Sequence, residues 1–339
     1  MSIVNMSSSS VSTDILQLVK QYTLWSSCII SIFGIIGNTL NILIFTQLKL
    51  FRFNRSAFYI TVESISNFSY QFITISLISL TAIYGDDRTA SSLAWCRLRF
   101  ILSLTIVITT YYMTCCAAID QFFSTNYHVN LLQICTLKVA RYVTITLVSF
   151  GIIHSIIFGF LAYNIPSIGC VISNPVFLQY ATFFFYPVLA GLLPIVIAAI
   201  FSLLAYRNVR RIVRRQLPIL RRRLDRQMTA MVLSRVIIFV GLALPYSIYR
   251  IYAINSPASR SQPLEFAIAQ LLQAIFFSLV TLNYTVSFYV FMISSPRFRR
   301  QIKYVLVKKC WKYCCCLRNN QIHPENIEQI NSHMVLEEL

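Results

Sequence analysis

The chain has 339 residues, of which 57% are hydrophobic and only 12% are charged, and its mean hydropathy is +0.65. Soluble domains carry about 25% charged residues, so this composition excludes an ordinary soluble domain and predicts an all-α membrane protein. The net charge of +18 would also suit a nucleic-acid-binding protein, and the placement of that charge decides between the two.

Residues 1–22 are polar and rich in serine, and we expect them to form an extracellular N-terminal tail. They lack the basic start and apolar core of a cleavable signal peptide, so the first membrane span would act as the targeting signal. Asn5-Met6-Ser7 is a sequon for N-glycosylation. Because sequons also arise by chance in serine-rich segments, Asn5 is a candidate only.

Seven apolar runs follow, and each is long enough to cross the ~30 Å hydrocarbon core of a bilayer as a helix. The runs cover residues 23–47, 57–83, 97–123, 140–163, 177–206, 228–254 and 264–293. We therefore predict a seven-transmembrane helical bundle over residues 23–293. The second run is the weakest, because it holds Glu63 and many serines and threonines.

Lysines and arginines concentrate in alternate loops, and this bias predicts the orientation of the bundle. Loops 48–56, 124–141 and 207–226 are basic, and the last of these holds nine arginines. The segment after the last span is basic too, whereas the intervening loops are almost neutral. The pattern places the N-terminus outside the plasma membrane and the C-terminus inside. Topology and attraction to anionic membrane lipids then account for the charge, so we expect no nucleic-acid partner.

Residues 294–308 place Phe298 and three other apolar residues on one helical face and basic residues on the other. This predicts an amphipathic eighth helix on the inner membrane surface. The cytoplasmic tail, residues 309–339, begins with four cysteines among lysines that are candidates for S-palmitoylation: Cys310, Cys314, Cys315 and Cys316. The four histidines are scattered over loop, span and tail, so we expect no metal site, no cofactor and no metal-dependent enzyme.

Two cysteines fall in regions that this topology places outside. Cys96 lies at the outer mouth of span three, and Cys170 is the lone cysteine of the second outer loop. An oxidising exterior permits a disulfide between them, which would tether the loop over the bundle. The alternative is that both are unpaired, but lone cysteines in two outer regions favour the pair.

Short motifs recur at characteristic places in three spans. Span one contains Gly34-Ile35-Ile36-Gly37-Asn38, span six has Phe239 six residues before Pro245, and span seven contains Ser287-Phe288-Tyr289-Val290-Phe291. Together with the seven spans, the cysteine pair and the eighth helix, these motifs resemble the rhodopsin-like (class A) G protein-coupled receptors over residues 23–308. The resemblance implies a non-enzymatic receptor that passes the binding of an extracellular ligand to a heterotrimeric G protein.

The sequence also departs from that family. Gln121 stands where the family's DRY motif has arginine, so Asp120 lacks its usual partner. Asn67 replaces the sodium-binding aspartate, and we predict no sodium modulation. Coupling would then depend on the remaining inner face, for which we select Asp120, Gln121, Phe122, Arg207, Arg210 and Arg211. Whether coupling survives these departures is open at this point.

Polar residues at membrane depth are costly and usually face protein or water. We predict a polar network at the inner core that comprises Asn38, Glu63, Asn67, Asn283 and Ser287. Glu63 would lie near Gln121 and, in the protonated form, help to replace the missing polar contacts. The alternative, that Glu63 reaches the membrane interface, is nearly as well supported.

The outer half of the bundle is the candidate ligand pocket, with seven residues selected for it: Arg99, Ser103, Tyr246, Tyr249, Arg250, Gln270 and Gln273. Two arginines at an outer mouth suit an acidic or carboxylate-bearing ligand. The alternative, that both extend to lipid head groups, is the simpler interpretation. We expect a peptide or a small polar ligand. A transporter is the main alternative in another class, but the halves show no convincing repeat.

Overall fold

The structure is a computed structural model, and it describes residues 2–48, 51, 54–84, 92–126, 136–160, 162–165, 169–172, 174–212, 219–256 and 262–309. Within these ranges the chain is almost entirely helical. The helices of the bundle are α1 (Ser2–Gln47), α2 (Arg55–Tyr84), α3 (Leu93–Thr125), α4 (Leu137–Phe160), α5 (Pro175–Tyr180, Ala181–Leu192 and Leu193–Ile212), α6 (Ile219–Asn255) and α7 (Pro263–Asn283 and Ser287–Ser294). An eighth helix, α8, covers Pro296–Lys303 and continues as Tyr304–Lys309.

Polar side chains begin several helices. The side chain of Ser92 accepts a hydrogen bond from the backbone N–H of Trp95 at the start of α3. Asn174 accepts from the N–H groups of two residues at the start of α5, where Pro175 occupies the first turn. Ser295 accepts from the N–H of Phe298 at the start of α8. These contacts satisfy backbone donors that the first turn of a helix leaves without partners.

Two helices depart from regular α geometry. The middle part of α5, Ala181–Leu192, is a π-helix that contains Pro187, whose ring lacks an N–H and disfavours a regular helix interior. Pro194 and Pro245, in contrast, lie inside α-helical segments. The second departure is in α7, which is interrupted by a turn at residues 284–286.

The arrangement of the helices places α3 at the centre, where it contacts α2, α4, α5 and α6. Helix α1 packs on α2 and α7, and α6 packs between α5 and α7. Close packing of α1 depends on glycine: a Cβ at Gly34 would lie 2.7 Å from the Cγ of Gln71 and from the Oγ1 of Thr285. A short antiparallel hairpin of β1 (Ala162–Ile165) and β2 (Gly169–Ile172) follows α4, and β1 contacts α3.

The surface of the bundle is apolar and its interior holds many polar groups. Large side chains such as Phe72, Tyr142 and Ile153 are exposed, whereas Glu63 and Asn67 are buried. Six of the described helices are long and apolar enough to cross a membrane. Helix α2 is not one of them, in agreement with the expectation that the second run is the weakest. These features are those of a multi-pass helical membrane protein.

The N-terminal residues differ from the expected separate tail, because α1 begins at Ser2 rather than near residue 23. The segment contains no glycine or proline that would end the helix. Its later part packs against the bundle, where the Tyr22 hydroxyl and the Ser278 hydroxyl share a hydrogen bond of 2.7 Å. Asn5 lies in this helical segment, and its side chain is outside the described residues.

Helix α8 is amphipathic. Phe298 and Val305 are fully buried, whereas Arg299, Arg300 and Lys303 are exposed. The ring of Phe298 stacks on Phe45 of α1 at 5.7 Å between centroids. The sequence placed this helix at 294–308, close to its observed bounds. The cysteines predicted to carry lipid, Cys310 and Cys314 to Cys316, lie outside the described residues.

Candidate functional site

A cavity of about 950 Å³ opens within one end of the bundle. Four of the residues predicted for the ligand pocket line it: Arg99, Ser103, Tyr246 and Arg250. Helix α1 contributes Lys20, which the sequence had assigned to a separate tail, and Thr23, Leu24 and Ser27 of the predicted first span. The volume lies near the upper end of the range for small-molecule sites, about 300–1,000 Å³.

Three basic residues line the cavity, each from a different helix: Lys20 from α1, Arg99 from α3 and Arg250 from α6. Among the described residues that line it, none is acidic. The guanidinium carbon of Arg250 lies 4.8 Å from the centroid of the Tyr186 ring. Its Nε is buried and has no hydrogen-bond partner in the described part of the chain. The cavity is therefore positively charged.

The other three predicted pocket residues are not among the lining residues. The hydroxyl of Tyr249 donates to the carbonyl of Ala269 at 2.7 Å, and its ring stacks on Phe276 at 4.8 Å between centroids. Tyr249 therefore joins α6 to α7. Gln273 is exposed and Gln270 is half-buried, and neither lines the cavity.

The floor of the cavity contains stacked aromatic rings. Tyr284 stacks on Tyr70 at 4.3 Å and on Tyr111 at 6.2 Å between centroids, and all three residues line the cavity. Tyr111 also makes an edge contact with Phe239 at 5.1 Å. The guanidinium carbon of Arg235 lies 5.9 Å from the centroid of the Phe239 ring. The floor is thus in direct contact with the layer beneath it.

That layer is a buried ion pair with polar neighbours, here called the Arg235 network (Glu63, Arg235, Asn283 and Ser287). The Nη2 of Arg235 lies 2.7 Å from a Glu63 carboxylate oxygen, and its Nε donates to the same oxygen at 2.9 Å. Its Nη1 donates to the Asn283 side-chain oxygen at 2.6 Å, and Ser287 donates to Glu63 at 3.2 Å. Both charged side chains are only 2% exposed.

The Arg235 network corrects one expectation and supports another. Glu63 pairs with Arg235 of α6, whereas the side chain of Gln121 bonds the hydroxyls of Ser56 and Thr229. Asn283 and Ser287 do share a buried network with Glu63, as the sequence predicted. The network joins α2, α6 and α7, so it ties α6 to the rest of the bundle.

The two remaining predicted members lie elsewhere. The side-chain nitrogen of Asn38 donates to the carbonyls of Gly34 and Tyr284, each at 2.8 Å, and so satisfies a backbone oxygen at the break in α7. Asn67 accepts a hydrogen bond of 3.0 Å from the Thr110 hydroxyl. Both are buried polar contacts between neighbouring helices.

At the end of the bundle opposite the cavity lies a second cluster, here called the Gln121 network (Arg55, Ser56, Asp120, Gln121 and Thr229). Gln121 donates to the Ser56 hydroxyl at 2.6 Å and accepts from the Thr229 hydroxyl at 2.8 Å. Asp120 accepts from Ser56 at 2.5 Å and pairs with Arg55 at 3.1 Å. Asp120 thus lacks the arginine of the family's motif, as the sequence indicates, but it pairs with Arg55 of α2 instead.

The other residues selected for this face are placed less closely together. Phe122 makes an edge contact with Phe201 of α5 at 5.5 Å between centroids. Arg207 and Arg210 are exposed near the end of α5, and Arg210 lies over the Tyr206 ring at 4.6 Å. The side chain of Arg211 is outside the described residues.

Of the two cysteines in the predicted disulfide, the structure describes the side chain of Cys96 only. Cys96 is fully buried near the start of α3 and is not one of the free cysteines Cys28, Cys115 and Cys116. Cys170 lies in β2 opposite Asn164, but its side chain is outside the described residues. The pairing stays a prediction.

Sequence reasoning missed Arg235, Arg55 and Thr229. A signal existed for Arg235, because it is a charged residue in the middle of the apolar run 228–254, and such residues usually have a buried partner. For Thr229 no signal existed, since its partner Gln121 is 108 residues away.

The fold and these sites define a class: a multi-pass helical bundle with a cationic cavity at one end and buried polar networks beneath it. No protein-family model matches the chain, and no curated protein shows significant similarity to it.

Proposed function

We propose that the protein is a G protein-coupled receptor of the rhodopsin-like type. Its seven helices cross the plasma membrane with the N-terminus outside, and an extracellular ligand binds in the cavity. The Gln121 network and the end of α5 face a heterotrimeric G protein. Cys96 and Cys170 form the disulfide that holds the β1–β2 hairpin at the cavity end, and Cys310 and its neighbours carry lipid.

One observation carries this proposal: the cavity floor contacts the residues that hold α6. Tyr111 of the floor meets Phe239, Phe239 lies against Arg235, and Tyr284 of the floor directly follows Asn283, a partner of Arg235. A ligand that rearranges the floor would therefore bias the position of α6. Such a bias between two conformations is what a receptor requires.

In this proposal the Gln121 network takes over the role of the family's missing arginine. The Gln121–Thr229 hydrogen bond joins α3 to α6 near their ends. We call this conformation closed, and the bond would stabilise it by about 1 kcal/mol. Opening would break it and expose polar groups to the G protein.

The test uses nucleotide exchange. The purified full chain in lipid nanodiscs is combined with a panel of heterotrimeric G proteins, and Thr229→Val is compared with the wild type. We expect Thr229→Val to raise ligand-independent exchange several-fold on at least one G protein, because the closed face loses a bond. Thr39→Val is the matched control, since Thr39 is exposed and bonds only its own helix. Exchange that stays at background for both variants and the wild type with every G protein would refute coupling.

A further inference from the structure

The charges of the cavity all lie toward one end of it. Arg99 precedes the floor residue Tyr111 by twelve positions on the same helix, which corresponds to roughly 18 Å of depth. Arg250 also lies away from the floor, because it follows Phe239, which contacts Tyr111, by eleven positions on α6. Lys20 precedes Asn38, which contacts Tyr284, by 18 positions on α1. A carboxylate or phosphate placed among these residues would accept charge-assisted hydrogen bonds. The buried Nε–H of Arg250, which has no partner among the described residues, can donate one of them.

Below these charges the walls are largely apolar. Leu104, Val107, Phe185, Phe277 and Val280 line the cavity, and the first two lie between Arg99 and the floor residue Tyr111 on α3. Burying apolar surface there is favourable by about 25 cal/mol per Å². A peptide of the same volume would bring amide groups into this region, and each would cost free energy unless it found a partner.

We propose that the cavity binds an anionic amphiphile: a molecule with one carboxylate or phosphate head at Lys20, Arg99 and Arg250 and an apolar body that extends to the tyrosine floor. This deepens the proposed receptor function, on which it rests, by naming the ligand class of the same cavity. A fatty carboxylate and a lysophosphatidate share this chemistry.

The experiment measures saturable binding of radiolabelled oleate to the purified full chain in phosphatidylcholine nanodiscs. Unlabelled oleate, lysophosphatidate and oleyl alcohol are compared as competitors. We expect both acids to compete and oleyl alcohol to bind at least about tenfold more weakly, because it has the apolar chain without the charge. The tighter of the two acids identifies which head group the site prefers.

Variants locate the site. Arg99→Gln and Arg250→Gln should each weaken oleate binding about tenfold or more, and Arg250→Lys should retain most of it. Arg97→Gln is the matched control, because Arg97 lies two residues from Arg99 on α3 but faces Phe160, with its guanidinium carbon 5.7 Å from that ring. If Arg250→Gln fails to fold, Arg99→Gln and the alcohol comparison decide.

Three results would overturn the inference: equal binding of oleate and oleyl alcohol, an equal loss in Arg97→Gln, or saturable binding by an acidic peptide with none by either amphiphile. The outcome is separate from that for coupling. Specific oleate binding without nucleotide exchange would refute the G protein proposal and support the ligand class. Nucleotide exchange without oleate binding would support coupling and refute the ligand class.

Discussion

Arg235 and Arg250 both belong to α6, yet their surroundings are opposite. Arg235 is enclosed and paired with a carboxylate from α2 and an amide from α7. Arg250 lines the cavity with two further cations, and none of the described lining residues is acidic. A fully paired charge holds helices together, whereas a cluster of like charges gains from a ligand of opposite sign. Under the proposed function, the same residue type serves structure at one depth and ligand binding at another.

Removal of one partner of Arg235 is the strongest test of whether this arginine has a structural role. Glu63→Gln would leave a cation buried without an anion, and we expect a loss of about 3–5 kcal/mol or failure to fold. The measurement is the thermal unfolding of the full chain in nanodiscs, followed by exposure of the buried Cys115 thiol. The exposed Glu265 supplies the control, Glu265→Gln.

The double variant Glu63→Met/Arg235→Met tests whether the loss in Glu63→Gln comes from the unpaired charge of Arg235. Because it removes both charges and leaves apolar side chains of similar size, we expect it to recover most of the stability lost in Glu63→Gln. If the double variant were as unstable as the single one, the network would owe its effect to shape or hydrogen bonding rather than to the ion pair.

Substitution of Gly34 tests whether the stability of the bundle depends on the close approach of α1 to α2 and α7. In Gly34→Ala the new methyl group would meet Gln71 and Thr285 at 2.7 Å, so we expect a loss of about 1–3 kcal/mol in the same unfolding assay. Gly241→Ala is the matched control, since nothing lies within 4 Å of a Cβ there. Alanine favours a helix over glycine, so the control should be stabilised by up to about 1 kcal/mol.

The elements of the fold were readable from the sequence because their signals are local. The apolar runs correspond to the observed helices, and α8 follows from the spacing of Phe298 and its neighbours. The π segment of α5 has a weak signal, because Pro187 and Pro194 look alike in sequence, although only Pro187 lies in the π-helix. The break in α7 has none, because residues 284–286 contain neither glycine nor proline.

The candidate site was readable only in part, because its contacts join distant residues. Glu63 was recognised as a costly charge that needs surroundings, but its partner Arg235 lies 172 positions away. With one sequence, a charge can be identified and its partner cannot. Likewise, Arg99 and Arg250 were selected for the pocket, whereas Lys20 was assigned to a tail because residues 1–22 are polar and rich in serine.

The Arg55–Asp120 pair provides an intermediate case between the two regions. Its side chains are 17% and 8% exposed, so water screens this pair more than the Arg235 network. We expect Arg55→Gln to lower stability by about 1 kcal/mol and the cost to shrink in high salt. Arg141→Gln, at an exposed arginine of α4, is the control. A cost as large as that of Glu63→Gln would remove the distinction between the two pairs.

The smallest effect is expected at the cavity itself. Arg250→Gln removes a cation that repels its neighbours and loses the contact with Tyr186, which is worth about 0.5–1 kcal/mol at a partly exposed site. These two contributions oppose each other, so unfolding of the ligand-free chain should shift by less than about 1 kcal/mol, in contrast to the large loss for Glu63→Gln. Thermal unfolding with and without oleate checks the result: oleate should stabilise the wild type through binding to the folded state and should stabilise Arg250→Gln much less. A loss in the ligand-free chain comparable to that at Arg235 would mean that Arg250 is a structural residue, and the contrast between the two arginines would disappear.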